Sequence, residues 1–304
     1  MALLSSSGGV GVSVEGVKFH RGTSISLRPL TVLLGSPGSG KSSFARSVYL
    51  GVWLVRGRRA DVLVPAVLSP APSGFCVGLG GCRVCWGEGG VSVSGESPPW
   101  RGAVLLPCDY YTKLKALYEI GVVASAVANG VARAAGLGVL LGVAMRLLGE
   151  SSFLGGMGLL AADLFYVYGG EFRLTPLAGV ARVVRGETAV VSRALRGVDP
   201  LHAPSSVIAR RVLVNLLLDA PRGTLIVLEE PLLAVLGGLG GEAGEAAERI
   251  RRGDVWLLVT LSLPGPGCIG AVREFVAGLG LRGVAALYNL ARSGEGVSVT
   301  PVAL

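Results

Sequence analysis

The chain has 304 residues, of which 51% are hydrophobic and 16% are charged, and its formal net charge is +8. This composition excludes a disordered chain, which combines low hydrophobicity with high charge. The length suffices for one large domain or two small ones with a sizeable core. Five cysteines are an odd number and too few for a disulfide-stapled scaffold at this length.

The chain has few amide side chains, and nearly all of its basic residues are Arg. There are 24 Arg but only four Lys, three Asn and no Gln. Few heat-labile amides are typical of hyperthermophile proteins, and a GC-rich genome produces the same bias towards Arg. The absence of Gln also limits the catalytic residues that the chain can supply.

The mean hydropathy of +0.61 raises the question of membrane insertion. A spanning helix needs about 20 consecutive apolar residues, and the best candidate, residues 120–149, is interrupted by Arg133 and Arg146. The N-terminus lacks the basic region of a signal peptide. We therefore expect no integral membrane segment and a cytoplasmic protein, with the apolar residues in buried strands.

A phosphate-binding loop follows the first strongly apolar run. Residues 30–34 predict a strand, the sequence GSPGSGKS at 35–42 matches G-x-x-x-x-G-K-[ST], and residues 43–50 predict a helix. Glycines let the backbone N–H groups surround a phosphate, the lysine reaches the β- and γ-phosphates, and the serine ligates Mg²⁺. The residues predicted to bind ATP and Mg²⁺ here are Gly35, Gly38, Ser39, Gly40, Lys41, Ser42 and Ser43.

A second acidic motif lies at residues 223–231, where an apolar strand leads into Glu229, Glu230 and a proline. In a phosphate-loop enzyme, Glu229 would hold Mg²⁺ through water and Glu230 would act as the general base on the attacking water. A strand that ends in a solvated turn is the alternative. A third strand at 254–262 ends with Thr260 and Ser262. Either could sense the γ-phosphate, or the segment is a buried strand with polar end residues.

Lys41 and Glu229 are 188 positions apart, a spacing that resembles the one in ABC-type ATPases and the SMC/RecF-like group. The segments at 17–35 resemble the opening strands of that group, and those at 284–302 resemble its closing strands. The resemblance implies an α/β P-loop NTPase with a mostly parallel central sheet, an antiparallel β subdomain and a helical lobe inserted at 110–165. All 304 residues would form a single domain of this kind.

In that group a serine-rich stretch at a helix N-terminus reaches the ATP bound to another subunit. Ser205 and Ser206, at the start of an apolar helix, occupy the corresponding place and imply a homodimer that sandwiches ATP.

The group's metal-site glutamine is absent, because the chain contains no Gln, and Leu261 stands where its switch histidine would fall. We therefore expect slow or partner-dependent hydrolysis, or a nucleotide-dependent interaction module with little hydrolysis. A small-molecule kinase is disfavoured by the long spacing, and a membrane-associated ATPase subunit would dock through part of 110–165.

Several smaller features remain open from the sequence. Cys76, Cys82, Cys85 and Cys108 could bind zinc, form a disulfide or be small buried residues. Arg clusters at 56–59 and 249–252 could contact DNA or lie on solvated faces. Phe19 and His20 lie where an adenine-stacking ring would be expected, although core packing is equally expected of Phe19. Residues 171–174 and 189–192 predict a β-hairpin, and Glu245 and Arg249 are spaced as a helical ion pair.

Overall fold

The computed structural model describes residues 8–57, 60–68, 70–106, 108, 171–173, 182–184, 204–231, 243–262, 267–294 and 296–304. The chain divides into two compact units, one formed by residues 1–108 with 216–304 and the other by residues 109–215. The predicted helical lobe at 110–165 lies outside the described residues. The prediction of a single domain over 1–304 stays a prediction.

The first unit begins with a five-stranded antiparallel sheet in the order β2-β1-β4-β5-β6. Buried and exposed residues roughly alternate along the first four strands, as in a sheet with one face on the core. All six residues of β6 are exposed. The strands are β1 (Val10–Val17), β2 (His20–Leu27), β4 (Phe75–Leu79), β5 (Cys82–Gly87) and β6 (Gly90–Gly95).

The second sheet of this unit has six strands in the order β13-β12-β3-β11-β10-β7. Five neighbouring strands run parallel, namely β7, β10, β11, β3 and β12, and β13 pairs antiparallel with β12 at one edge. Every residue of β3 and β10 is buried, so these segments lack the alternation of the first sheet. The strands are β3 (Leu30–Gly35), β7 (Gly102–Leu106), β10 (Thr224–Glu229), β11 (Val255–Ser262), β12 (Ala285–Ser293) and β13 (Gly296–Pro301).

Helix α1 (Lys41–Val55) contacts both sheets, and most of its residues are buried. The other helices are α2 (Ala60–Val67), α3 (Ser205–Asp219), α4 (Ala243–Arg251), α5 (Gly267–Gly278) and a 3₁₀ turn (Arg282–Val284). The predicted α/β class with two sheets is confirmed. None of the helices in the described ranges is long and apolar enough to cross a membrane.

The second unit contains a short antiparallel pair, β8 (Glu171–Arg173) with β9 (Arg182–Val184). The predicted first strand of the hairpin is therefore present. The strand that pairs with β8 begins at Arg182, seven positions before the predicted partner at 189–192. Residues 189–192 lie outside the described residues.

The carboxyl ends of three central strands meet at one edge of the parallel sheet. Because β3, β11 and β10 are neighbours in parallel register, Ser262 pairs with Gly35, and Glu229 pairs with Thr260. Loops that follow such ends are where α/β sheets bind ligands. This edge brings the glycine loop and the acidic motif together, although they are far apart in sequence.

Candidate functional site

The loop between β3 and α1 depends on glycines at two positions. Gly35 has φ +150°, and a Cβ there would lie 2.2 Å from the carbonyl oxygen of Leu290 on β12. Gly40 has φ +97°, and a Cβ there would lie 3.0 Å from Nε2 of His20. A side chain is excluded at both positions by backbone conformation and by space. The loop is therefore closely packed against β2 and β12.

Lys41 is the first residue of α1 and is only 3% exposed. Its Nζ donates to the carbonyl oxygens of Gly35 (2.9 Å) and Ser36 (2.8 Å), and it lies 3.4 Å from Oγ of Ser39. Burial lowers the pKa of Lys41, and the nearby negative charge of Glu230 raises it. The ammonium group is thus held inside the loop, within reach of the charge at the end of β10.

The backbone of the loop fits a phosphate group. The amide of Ser39 donates to Ser36 (3.2 Å), and that of Phe44 donates to Gly40 (2.9 Å), which closes the loop and starts the helix. The amides of the preceding first-turn residues have no intrahelical acceptor, and the helix dipole places partial positive charge there. A Cβ at Gly38 would meet no atom within 4 Å, so the loop is open on that side. These are the donors that an anion at a helix N-terminus uses.

Glu230 follows β10 in a left-handed backbone conformation, with φ +44°. Its amide donates to the carbonyl of Thr260 (2.9 Å). Oε2 accepts from the backbone amide of Ser262 (3.0 Å), and Oε1 accepts from the Ser262 hydroxyl (2.6 Å). The half-buried carboxylate is therefore held at the strand ends, and both of its oxygens have donors.

Glu229 is 2% exposed and forms a two-point ion pair with Arg46 of α1. Arg46 Nε lies 2.7 Å from Oε1, and Nη2 lies 2.7 Å from Oε2. A carboxylate with both oxygens turned to one guanidinium does not fit the predicted role of Glu229 towards Mg²⁺. Ser42, half-buried in the first turn of α1, remains a suitable metal ligand. No group of three or more metal-ligating side chains occurs within the described part of the chain.

His20 is 1% exposed and lies beneath the loop. Nε2 lies 3.0 Å from the Gly40 carbonyl oxygen and 3.3 Å from Oγ of Ser43, and Nδ1 lies 3.0 Å from the Thr23 hydroxyl. Because a carbonyl can only accept, Nε2 carries the proton and Nδ1 accepts from Thr23. The expectation that His20 could stack on adenine is wrong, since the ring is buried against the loop and Phe44.

Phe19, next to His20, is partly exposed, and the guanidinium carbon of Arg292 lies 3.7 Å from its ring centroid. The ring therefore carries a cation on one face, and the prediction that it could stack on a base stays a prediction. Thr260 is fully buried, and its hydroxyl has no hydrogen-bond partner among the residues that the structure describes. Ser262, the other predicted γ-phosphate sensor, is engaged with Glu230 in this structure.

Ser205 begins α3, as predicted, and Ser206 is half-buried. Both belong to the second unit, and their predicted contact with ATP on another copy stays a prediction. The prediction of an ion pair between Glu245 and Arg249 is wrong. Arg249 donates instead to the carbonyls of Leu217, Leu218 and Ala220 at the end of α3, and Glu248 pairs with Arg251 and Arg252.

The four cysteines that could have formed a zinc site lie in different environments. Cys76 and Cys85 form a disulfide between the paired strands β4 and β5. Cys82 is buried, where desolvation raises its pKa, and Cys108 is exposed. A zinc site made of these four residues is excluded, because two of the four sulfurs are joined to each other.

Two side chains at the site were not assigned these roles from the sequence. Arg46 carries the only charge in α1 after Lys41, in an otherwise mostly apolar helix. A lone charge on a buried helix is itself a sign of a buried partner. Ser262 was expected to face the nucleotide, and the sequence offered no signal that it binds Glu230.

No protein-family model matches the chain, and no curated protein matches it. An SMC head bound to the C-winged helix domain of ScpA is 11% identical with a TM-score of 0.43, covering 97% of this chain and 98% of that one. The SMC head domain from Thermotoga maritima is 12% identical with a TM-score of 0.40, covering 97% and 99%. An ATP-binding cassette of an ABC transporter is 15% identical with a TM-score of 0.40, covering 96% and 91%.

A structure of the recombination mediator RecF with ATP is 10% identical with a TM-score of 0.36 and covers all of both chains. The neighbours thus come from the SMC, RecF and ABC groups that the sequence motifs resemble.

Proposed function

We propose that the chain binds ATP at the loop of residues 35–43 and hydrolyses it slowly. The observation that supports this most directly is the position of Lys41, buried among the carbonyls of its own loop with the charge of Glu230 close by. A buried lysine at the start of a helix, behind a glycine loop, presents a cation and backbone donors to the same anion. Glu230 follows β10, which is separated from β3 by β11, and would act as the general base from that strand end.

In this proposal each residue has a separate task. Gly35, Gly38, Ser39 and Gly40 shape the loop, Lys41 stabilises the β- and γ-phosphates, and Ser43 closes the first turn of α1 by donating to Gly40 (2.8 Å). Glu230 takes a proton from the water that attacks the γ-phosphorus. The bond from the γ-phosphorus to the oxygen that bridges the β- and γ-phosphates breaks, and this oxygen leaves as part of ADP. Mg²⁺ bound with ATP would neutralise phosphate charge, with Ser42 as its ligand from the chain.

Slow turnover follows from the surroundings of Glu230. Its two oxygens already accept hydrogen bonds from Ser262, and these must be shared or rearranged before the carboxylate can accept a proton from water. The chain also contains no Gln to orient that water. The same observations favour the second candidate, a nucleotide-dependent interaction module that binds ATP and scarcely hydrolyses it.

We further propose that two copies sandwich ATP, with Ser205 and Ser206 of one copy facing the nucleotide of the other. The whole chain would then act as one ATPase domain whose dimerisation switches a partner. The partner could be DNA or a protein. In the arginine cluster at 249–252, which was predicted as a possible DNA contact, Arg249 donates to backbone carbonyls at the end of α3. Arg251 and Arg252 pair with Glu248.

The binding test is the affinity for ATP measured by calorimetry on the full chain. Lys41→Ala should weaken binding by at least about 100-fold, because a buried charge-assisted contact to phosphate is lost. Arg282→Ala, which removes a cation from the exposed 3₁₀ turn, is the matched control and should leave affinity unchanged. Equal affinities for wild type and Lys41→Ala would contradict the proposal.

Hydrolysis and dimerisation are tested with a second variant. Glu230→Gln removes the base, so it should retain ATP and accumulate dimers in size-exclusion chromatography with light scattering. Adding Ser206→Arg to Glu230→Gln should remove the dimers while ATP binding is retained. Unchanged hydrolysis in Glu230→Gln would remove this residue from the role of base. A wild-type chain that binds ATP without measurable turnover, with or without DNA, would favour the interaction module.

A further inference from the structure

The ion pair between Arg46 and Glu229 joins a helix to a sheet across the middle of the first unit. The carboxylate is almost completely buried, whereas about a third of the arginine side chain is exposed. The two 2.7 Å contacts, from Nε and Nη2 to separate oxygens, form the fork that makes arginine–carboxylate pairs strong. Nη1 of Arg46 also donates to the carbonyl of Val67 (3.2 Å) at the end of α2.

The ion pair lies beside the phosphate loop. Arg46 is four residues after Ser42, so the two side chains project from the same face of α1. Glu229 is the last residue of β10, one position before Glu230. The charge of Glu229 therefore belongs to the electrostatic surroundings of the loop.

We propose that Arg46 neutralises Glu229 in the nucleotide site, so that ATP binds there with little dependence on Mg²⁺. This inference rests on the proposed function, namely that the loop takes ATP. The charge of Glu230 lies near that of Lys41. An unpaired Glu229 would therefore be the carboxylate that attracts Mg²⁺ and repels metal-free ATP, and affinity would then depend strongly on the metal. A carboxylate paired with a guanidinium does neither, and separating a buried pair is unfavourable because it leaves an uncompensated charge.

The experiment compares the dissociation constant for ATP in excess Mg²⁺ with that in excess EDTA, for full-length variants. In the wild type the two constants should differ by less than about threefold. Arg46→Met exposes the carboxylate charge to the phosphates, so EDTA should weaken binding by at least about tenfold relative to Mg²⁺. Arg46→Lys keeps the positive charge and should behave like the wild type.

A second variant keeps the test decisive if Arg46→Met fails to fold. Glu229→Gln removes the carboxylate and leaves the guanidinium facing the phosphates, so metal-free ATP should bind at least as tightly as in the wild type. The double variant Arg46→Met/Glu229→Gln removes both charges and should regain the weak metal dependence of the wild type. A structural role for Arg46 alone would not produce this pattern, because it would change both constants equally.

The opposite pattern would overturn the inference. If Glu229 holds Mg²⁺, Glu229→Gln weakens binding at least about tenfold in Mg²⁺ and leaves the EDTA constant unchanged. A wild-type chain that binds ATP only in the presence of Mg²⁺ overturns this inference and leaves the proposed function intact. A wild-type chain that binds ATP in neither condition overturns the proposed function, and the inference with it.

Discussion

Ser262 holds the carboxylate of Glu230 through two donors, its backbone amide at 3.0 Å and its hydroxyl at 2.6 Å. The two residues lie at the ends of adjacent parallel strands, 32 positions apart in the sequence. A charge-assisted pair of this kind fixes both the position of the side chain and the backbone that carries it. The carboxylate is thus oriented by the neighbouring strand before any ligand arrives.

Removing the hydroxyl should therefore destabilise the first unit. Ser262→Ala leaves one oxygen of a half-buried carboxylate without its donor, and we expect the free energy of unfolding to fall by about 1–2 kcal/mol in urea denaturation. Ser262→Thr retains a hydroxyl and should lose less. The control is Ser298→Ala, which removes an exposed hydrogen bond to Ala291 and should change the free energy by less than about 0.5 kcal/mol. Equal losses in Ser262→Ala and Ser298→Ala would contradict the argument.

Glu230 is held in a left-handed conformation that residues with a Cβ rarely adopt, with φ +44°. The positive φ costs about 1–2 kcal/mol for such a residue and little for glycine. Glu230→Gly and Glu230→Ala both remove the carboxylate and differ in the Cβ. Glu230→Gly should therefore be more stable than Glu230→Ala by about 1 kcal/mol in urea unfolding.

The same two substitutions on a helix provide the control for this comparison. At Glu245, exposed on α4, the order should reverse, and Glu245→Ala should be more stable than Glu245→Gly by about 1 kcal/mol. If alanine is the more stable substitution at both positions, the backbone at Glu230 is not strained.

The disulfide between Cys76 and Cys85 should contribute to stability in oxidising solution. It closes a loop of nine residues between paired strands, and the loop-entropy relation gives about 2–3 kcal/mol for such a loop. Cys76→Ala/Cys85→Ala should lose about this amount, and dithiothreitol should destabilise the wild type but not the double variant. Cys82→Ala, which leaves the disulfide intact, should remain sensitive to the reductant. A wild type whose unfolding is unaffected by dithiothreitol would contradict this.

The sequence predicted the parts of the site that depend on local spacing. The glycine loop, the strand before it and the helix after it follow from one motif, and Glu229 and Glu230 follow from an apolar run that ends in acids. The partners of those acids were not predictable. Arg46 reaches Glu229 across 183 positions, and only the sheet order brings them together.

For His20, the sequence suggested a contact that the structure does not have. Its position before the phosphate loop suggested contact with the base, but the register between β1 and β2 turns it towards the Gly40 carbonyl instead. Side chains at strand ends alternate between two faces, so an error of one residue reverses the interpretation.

The buried ring of His20 should make the stability of the protein sensitive to mild acid. Burial lowers the pKa of His20 below its ordinary value of 6.5, the hydrogen bond to Gly40 opposes this shift, and the positive charge of Lys18 adds to it. Below pH 6.5, His20 is therefore protonated to a greater extent in the unfolded chain than in the folded chain. Stability falls as the pH falls through this window, with a slope of at most about 1.4 kcal/mol per pH unit.

Urea unfolding of wild type and His20→Gln at pH 7.5, 6.5 and 5.5 measures this contribution. The variant loses hydrogen bonds and should be less stable at pH 7.5, but its disadvantage should shrink towards pH 5.5, because glutamine takes up no proton. Ser298→Ala, which removes an exposed hydrogen bond and leaves the histidines in place, is the control and should keep the wild-type slope. If His20→Gln and wild type lose stability in parallel over this range, His20 is not held neutral by the fold.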